Sequence, residues 1–407
     1  MFVCNMCTCM FVAFRFFYYF CGNVKQQTTI MRRVKTALIG FGYRGRQLLR
    51  LLRAIDFFDV VGIADKAVCM EDTGVDFYTG DESYRSMVEE LRPELVFITT
   101  PWHLHVRQAC VCMQHGCHVA LEIKGGLCHD EYAPLSAMAG RTGLKVYTLE
   151  NTLFMREILA VRRMVEEGVL GDIVYMRGGY RHDLRDILLD EHGRLGGRTG
   201  TESVWRSRFY TSRNGDIYPT HALGPLCMIL GVGRRDRLAR LTSFATKAVG
   251  LRQRMAQLGN AGDTTAITLG DIVSTQIETD GGVLISLTHD TTLPRPRSLD
   301  FKVQGSRGIW NGVGRQIYVE GRSPHEQWED DTPYVEQYES LYWQKWGVEA
   351  LEHDRHHHGM DYIMLRAIAA DLEGRMDYPA TLDDLALWTS VSLLSEQSVR
   401  ERRTVCF

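Results

Sequence analysis

The 407 residues carry 45% hydrophobic and 24% charged side chains, proportions ordinary for a soluble globular protein and enough chain for about two or three domains with their own cores. A formal charge of −3, from 47 basic and 50 acidic residues, offers no basic stripe and argues against a nucleic-acid partner. A membrane partner is not expected either, because the apolar run Phe11–Cys21 is short for a span and is interrupted by Arg15.

The first thirty residues differ from the rest and hold Cys4, Cys7, Cys9 and Cys21, four of the eleven cysteines. A signal peptide would need a basic residue before Arg15 and a small-residue cleavage site, and a zinc cluster would need a second ligand pair. The expectation is that translation begins at Met31 and that 1–30 is an extension outside the fold. The other cysteines, Cys69, Cys110, Cys112, Cys117, Cys128, Cys227 and Cys406, follow no regular spacing and read as buried free thiols in a reducing compartment, which favours the cytoplasm.

The stretch Val34 to Asp65 organises the chain. An apolar strand, Val34–Ile39, runs into Gly40-Phe41-Gly42-Tyr43-Arg44-Gly45, and Leu48, Leu49, Leu51, Leu52 and Ile55 then mark the apolar face of a helix whose Arg46, Arg50 and Arg53 face solvent. A second strand, Asp59–Ala64, ends at Asp65. The G-x-G-x-x-G spacing fits a dinucleotide: Gly40 permits the tight turn, Gly42 lets the backbone approach a pyrophosphate, and Gly45 lets helix and strand pack closely. Asp65 can accept hydrogen bonds from a ribose and would repel a 2′-phosphate, so NAD is favoured over NADP.

Beyond Asp65 the alternation continues. Helices are predicted at Ser83–Leu91, Val106–His115 and Glu131–Arg141, and strands at Leu95–Thr100, Cys117–Glu122 and Lys145–Leu149. The fold class expected is α/β: an N-terminal, doubly wound parallel sheet of Rossmann type, with ligands beyond the strand carboxyl ends. Trp102 to His105, Glu122-Ile123-Lys124 and Glu150-Asn151 stand at those ends. After a helix at Phe154–Glu167 and a strand from Ile173 to Tyr180, short strands between Thr242 and Tyr318 predict a C-terminal α+β domain with a mainly antiparallel sheet, one face of which can cover the cofactor. Helices are expected over Tyr334–Leu351, Met360–Glu373 and Leu382–Ser398. The predicted domains are thus 31–150 for the cofactor, 151–355 for the substrate and 356–407 as packing helices.

A polar constellation follows the strand at Ile173: Tyr180 with His182, then Arg206, then Tyr218-Pro219-Thr220-His221 where a loop enters a helix near Leu223. His221 can move a proton near neutral pH, and a tyrosine can do so if a nearby cation lowers its pKa. His356-His357-His358 reads as a solvated cluster, and no metal is expected.

Val34 to about Thr404 resembles the Gfo/Idh/MocA oxidoreductase superfamily and, within it, glycoside hydrolase family 109, the NAD-dependent α-N-acetylgalactosaminidases. The stretches that carry the resemblance are Gly178-Gly179-Tyr180 with His182-Asp183-Leu184-Arg185, Tyr218-Pro219-Thr220-His221 with Gly224-Pro225, Gly270-Asp271-Ile272-Val273, Leu287-Thr288-His289-Asp290-Thr291 and His358-Gly359-Met360-Asp361-Tyr362. The resemblance implies that Arg44, Gly45, Asp65, Trp102, His105, Glu122, Ile123 and Asn151 line an NAD site. It further implies that Tyr180, Arg206, Tyr218, Thr220 and His221 meet the sugar, with Tyr218 also near the nicotinamide. Two departures stand out: Glu122-Ile123-Lys124 displaces the lysine of the dehydrogenase relatives by one residue, and Arg297 stands where the family has a tyrosine. Relatives pair through the face of the antiparallel sheet, which implies a homodimer.

Ordinary glycosidases flank the scissile bond with two carboxylates. A hydride acceptor beside Tyr and His permits another route: oxidation at C3 acidifies the C2 proton, its removal expels the C1 substituent, water adds, and reduction restores the sugar. On this reading Tyr180 or His221 serves C2, Tyr218 serves the C3 hydroxyl, and the partner is a glycan or small glycoside. The alternatives are a sugar or inositol dehydrogenase that releases NADH, with Lys124 or His221 as base, and a non-catalytic NAD sensor.

Overall fold

In the computed structural model, which describes residues 32–69 and 72–407, two sheets carry the architecture. The expectation for 1–30 lies outside the described residues. The first sheet is formed by β1 (Val34–Ile39), β2 (Phe58–Asp65), β3 (Asp76–Thr79), β4 (Leu95–Ile98), β5 (His118–Leu121) and β6 (Val146–Thr148). All its pairings are parallel, in the order β3-β2-β1-β4-β5-β6. This is the doubly wound order, which reverses between β1 and β4 and opens a crevice at their carboxyl ends. Its central strands are largely apolar because both faces are covered: β4 is buried along its whole length, whereas the edge strand β3 is half-exposed.

The second sheet comprises β7 (Ile173–Arg181), β8 (Leu238–Ala245), β9 (Ile272–Thr279), β10 (Leu284–Asp290), β11 (Lys302–Gly305), β12 (Gly308–Asn311), β13 (Gln316–Val319), β14 (Glu329–Asp330) and β15 (Val405–Cys406). Only β7 and β10 pair in parallel, so the sheet is mixed and mainly antiparallel. In that register Tyr180 lies beside His289. Gly178 allows helix Thr220–Leu230 to close on β7, since a Cβ there would stand 3.1 Å from the Ala222 Cβ. That close approach brings the start of the helix against Tyr180. Residues 34–407 cohere as one compact unit. Among the described residues no helix is long and apolar enough to cross a membrane.

Several elements differ from expectation. Strands β3 and β15 and helices Ser203–Ser212 and Gly250–Gln257 were not foreseen. The helix expected near Leu223 starts at Thr220, placing His221 inside its first turn. Cys112, Cys117 and Cys227 are buried free thiols, as the spacing suggested, but Cys110 is half-buried and Cys128 and Cys406 are exposed rather than buried. His356 and His358 are exposed as expected, whereas His357 is half-buried and hydrogen-bonded to Asp361.

Candidate active site

The glycine turn has the shape its sequence requires. Gly40 adopts φ +96°, a region that disfavours side chains, and a Cβ on Gly45 would stand 2.1 Å from the Gly40 oxygen. A Cβ on Gly42 would meet nothing within 4 Å, so the space over the turn is open. Helix Tyr43–Arg53 has no side-chain cap and no acidic residue in its first turn, which leaves its amide N–H groups for an anion. Asp65 closes the far side at the end of β2, accepting from the Phe41 and Ala67 amides at 2.6 and 2.8 Å, with lone pairs left for hydroxyl donors. These features fit a dinucleotide.

Arg44 does not reach outward. Its Nε donates to Glu122 at 2.6 Å, and its two terminal nitrogens donate to Asp361 at 2.5 and 2.8 Å. Burial opposes the charge, yet Asp361 and Glu122 hold the guanidinium pKa well above its usual value. Asn151 donates to the same Asp361 at 3.0 Å and leaves its own buried Oδ1 without a partner. Ile123 is buried beside Trp102, while the fully buried His105 lies 2.7 Å from the Thr100 carbonyl through Nε2 and so braces the loop after β4. Burial keeps that imidazole neutral, its pKa lowered to about 3. Lys124 is also buried, its Nζ turned to Glu131 at 2.5 Å.

The second cluster gathers at the carboxyl end of β7. The Tyr180 ring packs 4.6 Å from Tyr218 and 5.5 Å from His221, and Tyr218 stacks on Trp102 at 5.5 Å. The Arg206 guanidinium lies over Tyr218 at 5.3 Å and Trp102 at 5.7 Å while pairing with Glu202 at 2.7 Å. Burial and Tyr180 push the Tyr218 phenol well above its usual pKa despite Arg206, so it holds its proton and acts as a donor. Buried Thr220 offers a hydroxyl with no partner. His289, beside Tyr180, is buried with neither ring nitrogen partnered, and burial and Arg206 lower its pKa to about 3.

The residue whose partner the sequence did not foretell is Glu150, a candidate for the nicotinamide end only by its place at a strand carboxyl end. It is fully buried, and its Oε1 lies 2.6 Å from His221 Nδ1. Burial would raise its pKa, but His221 and Thr152 outweigh burial and the net shift is downward. An ionised Glu150 requires Nδ1 to carry a proton, so whenever the ring is neutral the lone pair is on Nε2. Local chemistry fixes the pair: Pro225 has no N–H for the His221 carbonyl four residues earlier, and the Thr152 hydroxyl takes that place at 3.0 Å. The same hydroxyl lies 2.6 Å from Glu150. Asp361 and His357 were given no role, although Asp361 stood in one of the resembling stretches.

Residues 154–406 match the profile of the glycosyl hydrolase 109 C-terminal domain, and residues 34–123 that of the oxidoreductase family, NAD-binding Rossmann fold. A glycosyl hydrolase family 109 protein of Stenotrophomonas maltophilia (strain K279a) is 33% identical over 397 residues, covering 90% of this chain and 87% of the relative. The chain belongs to glycoside hydrolase family 109. An alpha-N-acetylgalactosaminidase of Tannerella forsythia is 35% identical over 337 residues, 79% of this chain and 72% of that protein. Among solved structures, levoglucosan dehydrogenase in complex with NADH and levoglucosan has a TM-score of 0.66 at 17% identity, covering 92% and 99% of the two chains. Apo scyllo-inositol dehydrogenase from Lactobacillus casei has a TM-score of 0.66 at 12% identity, covering 92% and 98%. These two likenesses concern the fold. The family 109 chain is thus a glycoside hydrolase built on an NAD-binding, oxidoreductase-like fold.

In this glycosidase Glu150 is engaged by His221, and Glu122 and Asp361 by Arg44. Asp354, His357 and Asp361 bring ligand atoms within 4.8 Å of one another, but Arg44 and backbone amides already occupy those oxygens. A cleft of about 350 Å³ beside helix Tyr43–Arg53 shares no lining residue with the Tyr180 cluster.

The loop that presents Tyr218 contains a titratable support. Asp216 accepts the Tyr218 amide at 3.1 Å, and burial without a cation pushes its carboxyl up to about 7. A raised folded pKa means stability is complete below the unfolded value of about 4 and declines as pH rises towards about 7. Asp216→Asn keeps the acceptor and removes the titration. It should be more stable than the parent by about 1–3 kcal/mol at pH 8 and equal to it near pH 4, as read from denaturant midpoints.

Proposed function

We propose that this chain hydrolyses terminal α-linked N-acetylgalactosamine, or a related sugar, by a redox-neutral route. The observation that carries the reading is the buried Glu150–His221 pair at 2.6 Å, which supplies a defined base against Tyr180 and Tyr218 beside an NAD-binding turn. When bound, NAD would supply hydride acceptance at C3 of the sugar and hydride return after the C1 bond has broken. Arg44, Asp65, Glu122 and Asn151 belong to the elements that would hold it. His221 Nε2 takes the proton of the C3 hydroxyl, whose oxygen Tyr218 orients by donating its own. Tyr180, acting as the phenolate, takes the C2 proton, with Arg206 within electrostatic reach of its oxygen. Elimination at C1 then follows from the acidified C2 position, the C1–O electron pair leaving with the aglycone. Water adds across the resulting C1–C2 double bond, its oxygen to C1 and a proton to C2, before the C3 ketone is reduced. The rings of Trp102, Trp205 and Phe209 pack together beside Tyr218.

The test is hydrolysis of a chromogenic α-N-acetylgalactosaminide by the purified protein without added NAD, while following the absorbance of reduced nicotinamide. Release of the chromophore with no accumulation of reduced cofactor supports the proposal. Accumulation of reduced cofactor with the aglycone still attached would make the protein a dehydrogenase. That alternative loses one of its two candidate bases here, because Lys124 is buried against Glu131.

A further inference from the structure

The Arg44–Asp361 pair joins the first and last parts of the folded chain, which are 317 residues apart. Arg44 stands within the glycine turn after β1, Glu122 at the end of β5, and Asn151 just beyond β6. Asp361, in the first turn of helix Met360–Leu372, draws the three together, accepting from Arg44 twice and from Asn151, while Glu122 holds the remaining Arg44 nitrogen. Its orientation is fixed from behind. His357 Nδ1 donates to it at 2.7 Å, and Asp354 accepts the Asp361 amide at 2.9 Å. The carboxyl ends that meet here are where a dinucleotide lies across such a sheet. Opening the turn therefore breaks hydrogen bonds between buried charges.

We propose that Asp361 is a positioning residue: its pair with Arg44 clamps the glycine turn to the C-terminal helix and keeps the cofactor bound from one turnover to the next. The inference rests on the reading that this chain holds NAD in a redox-neutral cycle. Such a cycle never exchanges its cofactor, so a locked turn costs it no turnover, whereas a dehydrogenase must open on every cycle.

The experiment measures NAD in the purified full-length protein by chromatography after denaturation, and its release by chase with excess labelled NAD. Asp361→Asn should release NAD about 100-fold faster than the parent, and Arg44→Lys, which keeps the charge but loses the two-pronged contact, should fall between them. Asp371→Asn is the control. It cuts a tie between the same helix and β6, through Lys145 and Tyr147 at 2.5 Å each, away from the turn, and should release NAD like the parent. Parental release from Arg44→Lys and from any folded Asp361→Asn would overturn the proposal. So would release from Asp371→Asn as fast as from the clamp variants. A parent that binds no NAD would remove the clamp together with the function proposed above. The expected order of release in a protein without glycosidase activity would remove only that function.

Discussion

Replacing Glu150 by Gln is expected to lower kcat by about 100- to 1,000-fold while changing KM by less than about threefold. Gln has the same size and can still meet Thr152, so packing at this fully buried position is kept. What is lost is the anion that holds a proton on His221 Nδ1. Without it the ring can present an N–H rather than a lone pair at Nε2, and a base in the wrong tautomer cannot accept the C3 hydroxyl proton. Bound NAD should be unchanged, because Glu150 bonds to Thr152 and His221 while Arg44 and Asp361 bond to one another. The variant also tests linkage. A depressed folded pKa contributes stability above the unfolded value of about 4.3 that is lost as pH falls through the folded one, and Gln should abolish that dependence. A Gln variant retaining kcat within about threefold of the parent would show that His221 does not act through Glu150.

What the sequence revealed of this site divides by distance along the chain. The turn, its helix and Asp65 were legible because spacing within thirty-odd residues fixes them, and the parallel sheet followed from strands alternating with helices. Helix Ser203–Ser212 was not legible, although its buried residues Ser203, Arg206, Ser207 and Tyr210 recur with helical spacing. Most are polar, so an apolar period does not detect them, and Arg206 was legible only as a member of the polar constellation, not as part of a helix. Helix Thr220–Leu230 starts earlier than the expected position near Leu223, directly after Pro219, and inside it Thr152 satisfies the carbonyl that Pro225 leaves open. Glu150 was placed correctly at a strand end, but its partner lies 71 residues away, and no local pattern encodes that pairing. Asp361 is the extreme case, since its partner belongs to the other end of the folded chain. The departure at Arg297 is likewise visible in sequence, and the structure leaves that side chain exposed.

Tyr180→Phe is expected to reduce kcat by about 1,000-fold with little change in stability, and to separate the two proton transfers assigned to this site. The ring does most of the packing, against Tyr218, His221 and His289 at 4.6, 5.5 and 6.3 Å, and Phe keeps that ring. The loss therefore falls on the hydroxyl. If Tyr180 takes the C2 proton, sugar recovered from the parent in heavy water should carry deuterium at C2, and sugar recovered from the variant should not. Glu150→Gln gives the contrasting pattern: it impairs the C3 hydroxyl step that precedes C2 exchange, so exchange and hydrolysis fall together. In Tyr180→Phe the C3 step is intact and only proton removal at C2 is blocked, so adding an external base small enough to enter should restore exchange in this variant alone. Deuterium at C2 at the parental rate in Tyr180→Phe would remove Tyr180 from that step and leave His221 Nε2 as the base for both positions. The order of the two losses thus distinguishes one shared base from two dedicated ones.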